Sequence, residues 1–340
     1  MEIQRRQPKV AVLGGGSWGT AVASIVAVSA PTILWARSAE VAEDIEINHR
    51  NSKYLGDVEL TKTLQGTDDM ERAVADADVL VMGVPSHGFR EALENAAPYI
   101  RPWIPVVSLV KGLEQSTDMR MTEIVAEVLP GHPAGVLAGP NIASEVVAGY
   151  AAAATIAMPD QNSAHKLAEL FRTERFRIYS TTDVLGVEVA GALKNVFAIA
   201  AGMGDGAEAG YNTKAMVITR ALHEMTRFGE CLGGDPKTFS GLAGTGDLLV
   251  TCTSPASRNR RVGEELGRGK TIEQVLAGMN QVAEGVKAVS VVMDMANRMG
   301  IEMPIATEVY GVVNEGRTAE DAYRGLLRST PGHEIHGEGW

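Results

Sequence analysis

Three glycines, two lysines and a short Ser-Arg-Asn triplet have the types and spacing to do chemistry in this chain. Gly14, Gly16 and Gly19 form G-x-G-x-x-G, directly after the apolar run Lys9–Leu13 and ahead of a small-residue helical pattern. In that setting the first glycine permits a tight turn, the second lets backbone approach a pyrophosphate, and the third lets helix pack on strand. The helix N-terminus then offers unpaired N–H groups to the anion. A purely structural turn is the competing reading, and the flanking strand and helix patterns speak against it. About 20 residues further on, a site for a bare ribose would carry Asp or Glu. The chain has Trp35-Ala36-Arg37-Ser38 there. Arg37 suits a 2′-phosphate, and an ordinary surface arginine is the other reading. The pattern predicts a dinucleotide site that accepts NADPH at least as well as NADH.

Lys111 follows the apolar run Val106–Val110 and precedes Gly112, which places it at the carboxyl edge of a strand, the ligand side of a parallel sheet. Lys194 lies inside the apolar stretch Val184–Ala201, with Gly191 one turn earlier leaving room beside it. A buried lysine is costly unless paired or functional. Burial and a neighbouring cation would lower its pKa toward the range a proton donor needs. A lysine whose head snorkels to solvent fits the same pattern, and both readings stand at this point. Gly241–Arg261 is dense in turn-formers and polar groups, with Ser257, Arg258 and Asn259 near the start of a helix. N–H donors beside a guanidinium suit a phosphate, whereas a solvated capping cluster is the plainer alternative. Gly263 through Thr271 imitates a phosphate loop, but with five residues between its glycines and no preceding strand. None of the seven histidines shows H-x-x-x-H spacing, and two cysteines cannot complete a four-ligand zinc site. No metal is expected.

These residues need elements to hold them. Short β-rich runs at Lys9–Leu13, Thr32–Ala36, Val79–Val84, Val106–Val110, Gly135–Ala138 and Ala151–Met158 are separated by helix-length segments. That alternation predicts βαβ units and a parallel sheet. From Val184 onward the texture is helical, with helices expected over 184–201, 212–229, 256–268, 271–279 and 285–299. A length of 340 residues suggests two domains, here 1–183 and 184–340. The balance of 42 acidic against 31 basic residues, net charge -11, argues against a nucleic-acid binder. Glycine, 37 residues or about 11% against about 7% normally, points to tight turns and close backbone approach. No stretch reaches 18 uninterrupted apolar residues, and the polar N-terminus does not read as a signal peptide. With its free cysteines, the chain is expected in the cytoplasm without membrane insertion. The apolar helical second half is compatible with a homodimer.

The chain resembles the bacterial, soluble NAD(P)-dependent glycerol-3-phosphate dehydrogenases over nearly its whole length. The resemblance rests on Gly14-Gly-Gly-Ser-Trp-Gly19, Lys111-Gly-Leu-Glu114, Gly139-Pro-Asn-Ile-Ala143, Gly186–Asn195, Gly241–Thr253, Ser257-Arg-Asn-Arg-Arg261 and Val282–Lys287, in that order. It implies an α/β fold, an N-terminal Rossmann-like parallel-sheet domain followed by an all-α C-terminal domain. It implies reversible hydride transfer between NADP(H) or NAD(H) and dihydroxyacetone phosphate, giving sn-glycerol 3-phosphate for phospholipid synthesis. Under the resemblance Lys194 is the proton donor or acceptor, Asp247 orients it or a substrate hydroxyl, and Lys111 contacts substrate and cofactor. Gly14, Gly16, Ser17, Trp18, Gly19, Arg37, Tyr54, Ala143, Arg258, Val282 and Glu284 line the cofactor site. Gly139, Asn141, Lys194, Asp247, Ser257, Arg258 and Asn259 hold the three-carbon phosphate.

Two stretches depart from the family pattern. Asn141-Ile142 stands where Ser or Thr followed by an aromatic is usual, and Gly202–Gly210 is unusually glycine-rich and is expected to form a loop near the site. Two other classes compete with the resemblance: a 3-hydroxyacid or sugar-acid dehydrogenase of similar plan, and a non-catalytic dinucleotide-sensing protein. Ser257, Arg258 and Asn259 favour a phosphate over the first, and a sensor has no use for Lys111, Lys194 and Asp247 together.

Overall fold

The computed structural model describes residues 6–279 and 283–328. Its contacts divide the chain into two compact units, Met1–Val110 with Met119–Glu188, and Lys111–Asp118 with Val189–Trp340.

The first unit carries an eight-stranded sheet. Its strands are β1 (Val10–Leu13), β2 (Thr32–Trp35), β3 (Leu64–Thr67), β4 (Val79–Met82), β5 (Val106–Ser108), β6 (Ala134–Ala138), β7 (Ala152–Ala157) and β8 (Phe176–Thr181). The order is β3-β2-β1-β4-β5-β6-β7-β8. Val10 aligns with Thr32 of β2 on one side and Val79 of β4 on the other. The side chains of β1 alternate between the two faces, as the period of 2 requires. Val10 and Val12 join one apolar cluster, Ala11 and Leu13 a second. β1 and β4 are buried throughout, which is why they read as unbroken apolar runs rather than as alternating ones. Each fully buried valine or leucine there contributes about 1.5–3 kcal/mol.

The sheet departs from the expected parallel arrangement at one pair, since β7 runs antiparallel to β6. The only helix between them, Ala143–Val147, has five residues and rises only about 7 Å. β6 is five residues long, roughly 16 Å. So short a helix does not carry the chain back to the start of β6, and the next strand returns antiparallel.

The second unit is helical. The helix Val184–Gly206, which lies in this unit from Val189 onward, has mean hydropathy 1.6 over its most apolar window, and 89% of that window is buried inside the protein. Length and composition alone would let it cross a membrane; the burial makes it a core helix. It extends five residues beyond the expected end, so Gly202–Gly206 is helix and not loop. The glycines there have a packing reason. Gly202 and Gly206 lie against the backbone carbonyls of Arg260 and Glu264, while Gly263 and Gly267 lie against those of Ile199 and Met203. Two helices meet backbone to backbone, and any Cβ at these four positions would collide. The stretch after Gly206 turns through Glu208 and Gly210, both at positive φ, into the helix Gly210–Cys231.

Candidate active site

In the first unit the turn after β1 is built as an anion cradle. A Cβ on Gly14 would sit 2.6 Å from the Gly83 carbonyl carbon, and one on Gly19 would strike the Gly14 carbonyl. These two glycines let the loop after β1 press against the loop after β4. That is where the strand order reverses, the place such sheets bind ligands. A Cβ on Gly16 meets nothing within 4 Å, so the backbone there is open. The helix Ser17–Val26 begins at once and has no side-chain cap at its N-terminus, which leaves its first N–H groups to an incoming anion. The cradle fits a dinucleotide pyrophosphate.

Ser17 Oγ donates to the Tyr54 carbonyl at 3.1 Å. Trp18, Tyr54 and Ala143 pack on the same apolar cluster, and Trp18 meets Phe176 edge to face at 6.3 Å. The structure thus brings these predicted residues together beside the glycine turn. The buried Trp18 Nε1 has no protein partner among the described residues. Arg37 is exposed two residues past β2. Gly139 is at φ +155, and a Cβ there would press on Ala154 at 2.9 Å. Two residues on, Asn141 Nδ2 donates to the Ala153 carbonyl at 2.9 Å, and its buried Oδ1 is left without a partner among the described residues. One of the two Asn141 amide N–H groups thus serves β7, and an acceptor oxygen remains.

In the second unit Asp247 bridges both lysines. Its Oδ1 accepts from Lys194 Nζ at 2.5 Å and its Oδ2 from Lys111 Nζ at 2.6 Å. Thr251 Oγ1 accepts a second Lys194 bond at 2.8 Å while donating to the Asp247 carbonyl one turn back at 2.5 Å. Lys194 is 6% exposed and Asp247 1%, so the snorkelling reading of Lys194 does not hold. Burial lowers the Lys194 pKa from its usual value to about 7, with Lys111 repelling in the same direction and Asp247 opposing. A lysine so poised can give or take a proton near neutral pH. Cys252 is close by but inert, since burial pushes its thiol up to about 12.

Local structure explains how the trio assembles. Residues 191, 194 and 195 share one face of the helix Val184–Gly206 by their i, i+3, i+4 spacing. The space over Gly191 lodges the Lys111 stem, whose Cγ would be 3.4 Å from a Cβ there; the glycine makes room for Lys111 rather than for Lys194. Asn195 Nδ2 donates to the Lys111 carbonyl at 2.8 Å. A wide π-type turn, Leu242–Gly246, leads directly into the helix Asp247–Thr253, and such turns recur at functional sites. Asn195 and Thr251 are not among the site residues that the sequence marks. Thr251 had a readable signal, lying one helical turn after Asp247.

Ser257 caps the helix Arg258–Gly267, its hydroxyl accepting from the Arg260 N–H at 3.3 Å. Arg258 is exposed, with Glu284 as a charged neighbour. Asn259 is buried; its amide donates to Asn195 Oδ1 and accepts from the Gly285 N–H, both at 2.9 Å. Glu284 opens the helix Glu284–Met299. Val282 lies outside the described residues.

The family model for the N-terminus of NAD-dependent glycerol-3-phosphate dehydrogenase matches residues 9–164, and that for its C-terminus matches residues 183–324. The chain belongs to the NAD-dependent glycerol-3-phosphate dehydrogenase family. Glycerol-3-phosphate dehydrogenase (NAD(P)+) of Mycobacterium avium is 64% identical over 341 residues, with 100% of each chain covered. The corresponding Mycobacterium tuberculosis protein is 63% identical over the same span and coverage. The solved glycerol-3-phosphate dehydrogenase of Coxiella burnetii is 33% identical, with TM-score 0.90 over 95% of this chain and 99% of that one. Within the glycerol-3-phosphate dehydrogenase family the α/β fold with a helical C-terminal half and an NAD(P) cofactor are thus established for this chain.

Proposed function

We propose that the chain catalyses the reversible reduction of dihydroxyacetone phosphate to sn-glycerol 3-phosphate with NAD(P)H. The observation that carries this reading is the buried Lys194–Asp247–Lys111 bridge in a chain of this family. When bound, the nicotinamide supplies or accepts the hydride. Gly16 and Ser17 offer backbone N–H groups to the pyrophosphate, Gly14 and Gly19 shape the turn that presents them, and Trp18, Arg37, Tyr54 and Ala143 of the same unit line the remainder. During reduction, charge develops on the substrate oxygen at C2. Lys194 Nζ gives that oxygen its proton, and the Lys111 ammonium stabilises the developing negative charge. Asp247 and Thr251 hold Lys194 on station and keep its proton available. In oxidation the same amine takes the proton back.

The substrate phosphate is assigned to Ser257 and Arg258 at a helix N-terminus, where N–H donors and a guanidinium meet it. Asn259, next to them on the same helix, shapes the rest of that phosphate pocket. Arg258→Ala is expected to raise KM for dihydroxyacetone phosphate about 10- to 100-fold, as loss of a hydrogen bond to a charged group implies. An unchanged KM in steady-state assays would remove Arg258 from the phosphate site. Arg37→Asp is expected to lower kcat/KM for NADPH about 10-fold or more while leaving NADH use nearly intact. Equal NADPH efficiency in mutant and wild type would return Arg37 to the ordinary surface.

The same proposal takes 1–183 as the dinucleotide domain and 184–340 as the substrate domain. It places the enzyme in the cytoplasm without membrane insertion, as a homodimer feeding phospholipid synthesis.

A further inference from the structure

The geometry points to Asn51 as a positioning residue that sets the direction of a cofactor-binding peptide in the glycine turn. The inference rests on the dinucleotide reading of that turn. Asn51 is fully buried. Its Nδ2 donates to the Gly15 carbonyl at 2.9 Å and to Thr20 Oγ1 at 2.8 Å, while its Oδ1 has no partner among the described residues. The amide is therefore held with its donors toward the turn; the reverse orientation would set oxygen against the Gly15 carbonyl oxygen.

The bond matters because of where it falls. The Gly15–Gly16 peptide lies between two glycines, where backbone rotation is least restricted. A trans peptide points its C=O and N–H in opposite directions. With the Gly15 carbonyl drawn to Asn51, the Gly16 N–H points away from Asn51. Gly16 is also the turn position where an added Cβ meets nothing within 4 Å. A flipped peptide would present the Gly15 carbonyl oxygen to an incoming pyrophosphate, oxygen against anion. A second tie fixes the same junction, since Ser17 Oγ donates to the Tyr54 carbonyl three residues after Asn51. The short segment 51–55 thus braces the glycine turn from behind, and Asn51 fixes the plane of one peptide within it.

The test compares ligands with and without a pyrophosphate. Dissociation constants for NADPH, 2′-phospho-ADP-ribose and 2′-AMP are measured on the full chain for wild type, Asn51→Asp and Asn51→Ala. Asn51→Asp keeps the shape but cannot donate and repels the Gly15 carbonyl. It is expected to weaken NADPH and 2′-phospho-ADP-ribose about 30-fold, and Asn51→Ala about 10-fold. Binding of 2′-AMP, which lacks the pyrophosphate, is expected to stay within about 3-fold. Should Asn51→Asp not fold, Asn51→Ala reads the same split. Unchanged NADPH affinity in the variants, or an equal loss for 2′-AMP and NADPH, overturns the role of Asn51. Failure of the wild type to bind NADPH or 2′-phospho-ADP-ribose would instead overturn the dinucleotide reading itself.

Discussion

Lys194→Ala is expected to lower kcat for dihydroxyacetone phosphate reduction by about 10²–10⁴, the usual cost of losing a general acid, with NADPH affinity held within a few-fold. The alanine removes the amine that Asp247 and Thr251 hold at 2.5 and 2.8 Å and touches none of the glycine turn. The pH profile adds a second readout with a definite sign. Reduction needs protonated Lys194, whose pKa burial lowers to about 7, so the wild-type reduction rate falls as pH rises through that value. Oxidation needs the neutral amine, so its rate rises through the same window. Both limbs should vanish in Lys194→Ala. Near-normal turnover, or a mutant that keeps the titration near pH 7, would take the proton-transfer role away from Lys194.

Asp247→Asn is expected to damage both folding and turnover. Asp247 is 1% exposed and is the carboxylate shared by two lysines. Removing one partner of a buried ion pair leaves uncompensated charge and costs about 3–5 kcal/mol. Denaturant titration should show a lower midpoint with an unchanged slope. The catalytic consequence follows from the same electrostatics. Asp247 is the group that holds the Lys194 pKa up against burial and against Lys111. Without it that pKa falls below about 7 and less of the acid form is present at neutral pH. Reduction should drop by about 10² or more at neutral pH and recover partly in more acidic buffer. A variant as stable as wild type, with its reduction profile unmoved, would show that the bridge does not govern Lys194.

The central strands β1 and β4 announced themselves because strands buried on both faces are unbroken apolar runs. The strand Leu64–Thr67 did not, since Leu-Gln-Gly-Thr has a single large apolar residue and lies at the sheet edge. β8, Phe176–Thr181, was hidden by the charges beside it and by its partly exposed pattern. Periodicity carries no strand direction, so the antiparallel turn between β6 and β7 emerged only with the five-residue helix that connects them. The glycine turn was legible because its chemistry is local.

The lysine site was only half legible. Composition could say that Lys194 sat in an apolar helix. It could not say whether its head met solvent or Asp247, 53 residues away. Gly202–Gly206 misled for a physical reason: glycine density signals turns more often than helix, yet here it lets two helices touch backbone to backbone. Asn51 gave no sign at all, because a buried amide that orders a neighbouring loop has no sequence pattern of its own.

The most direct test is one absorbance trace at 340 nm, with purified protein, dihydroxyacetone phosphate and NADPH. A steady fall in absorbance that needs both the protein and the phosphorylated ketone, and that reverses in direction with sn-glycerol 3-phosphate and NADP+, is the predicted result. A flat trace with dihydroxyacetone phosphate and either reduced cofactor, from protein that is folded and binds the cofactor, would contradict it.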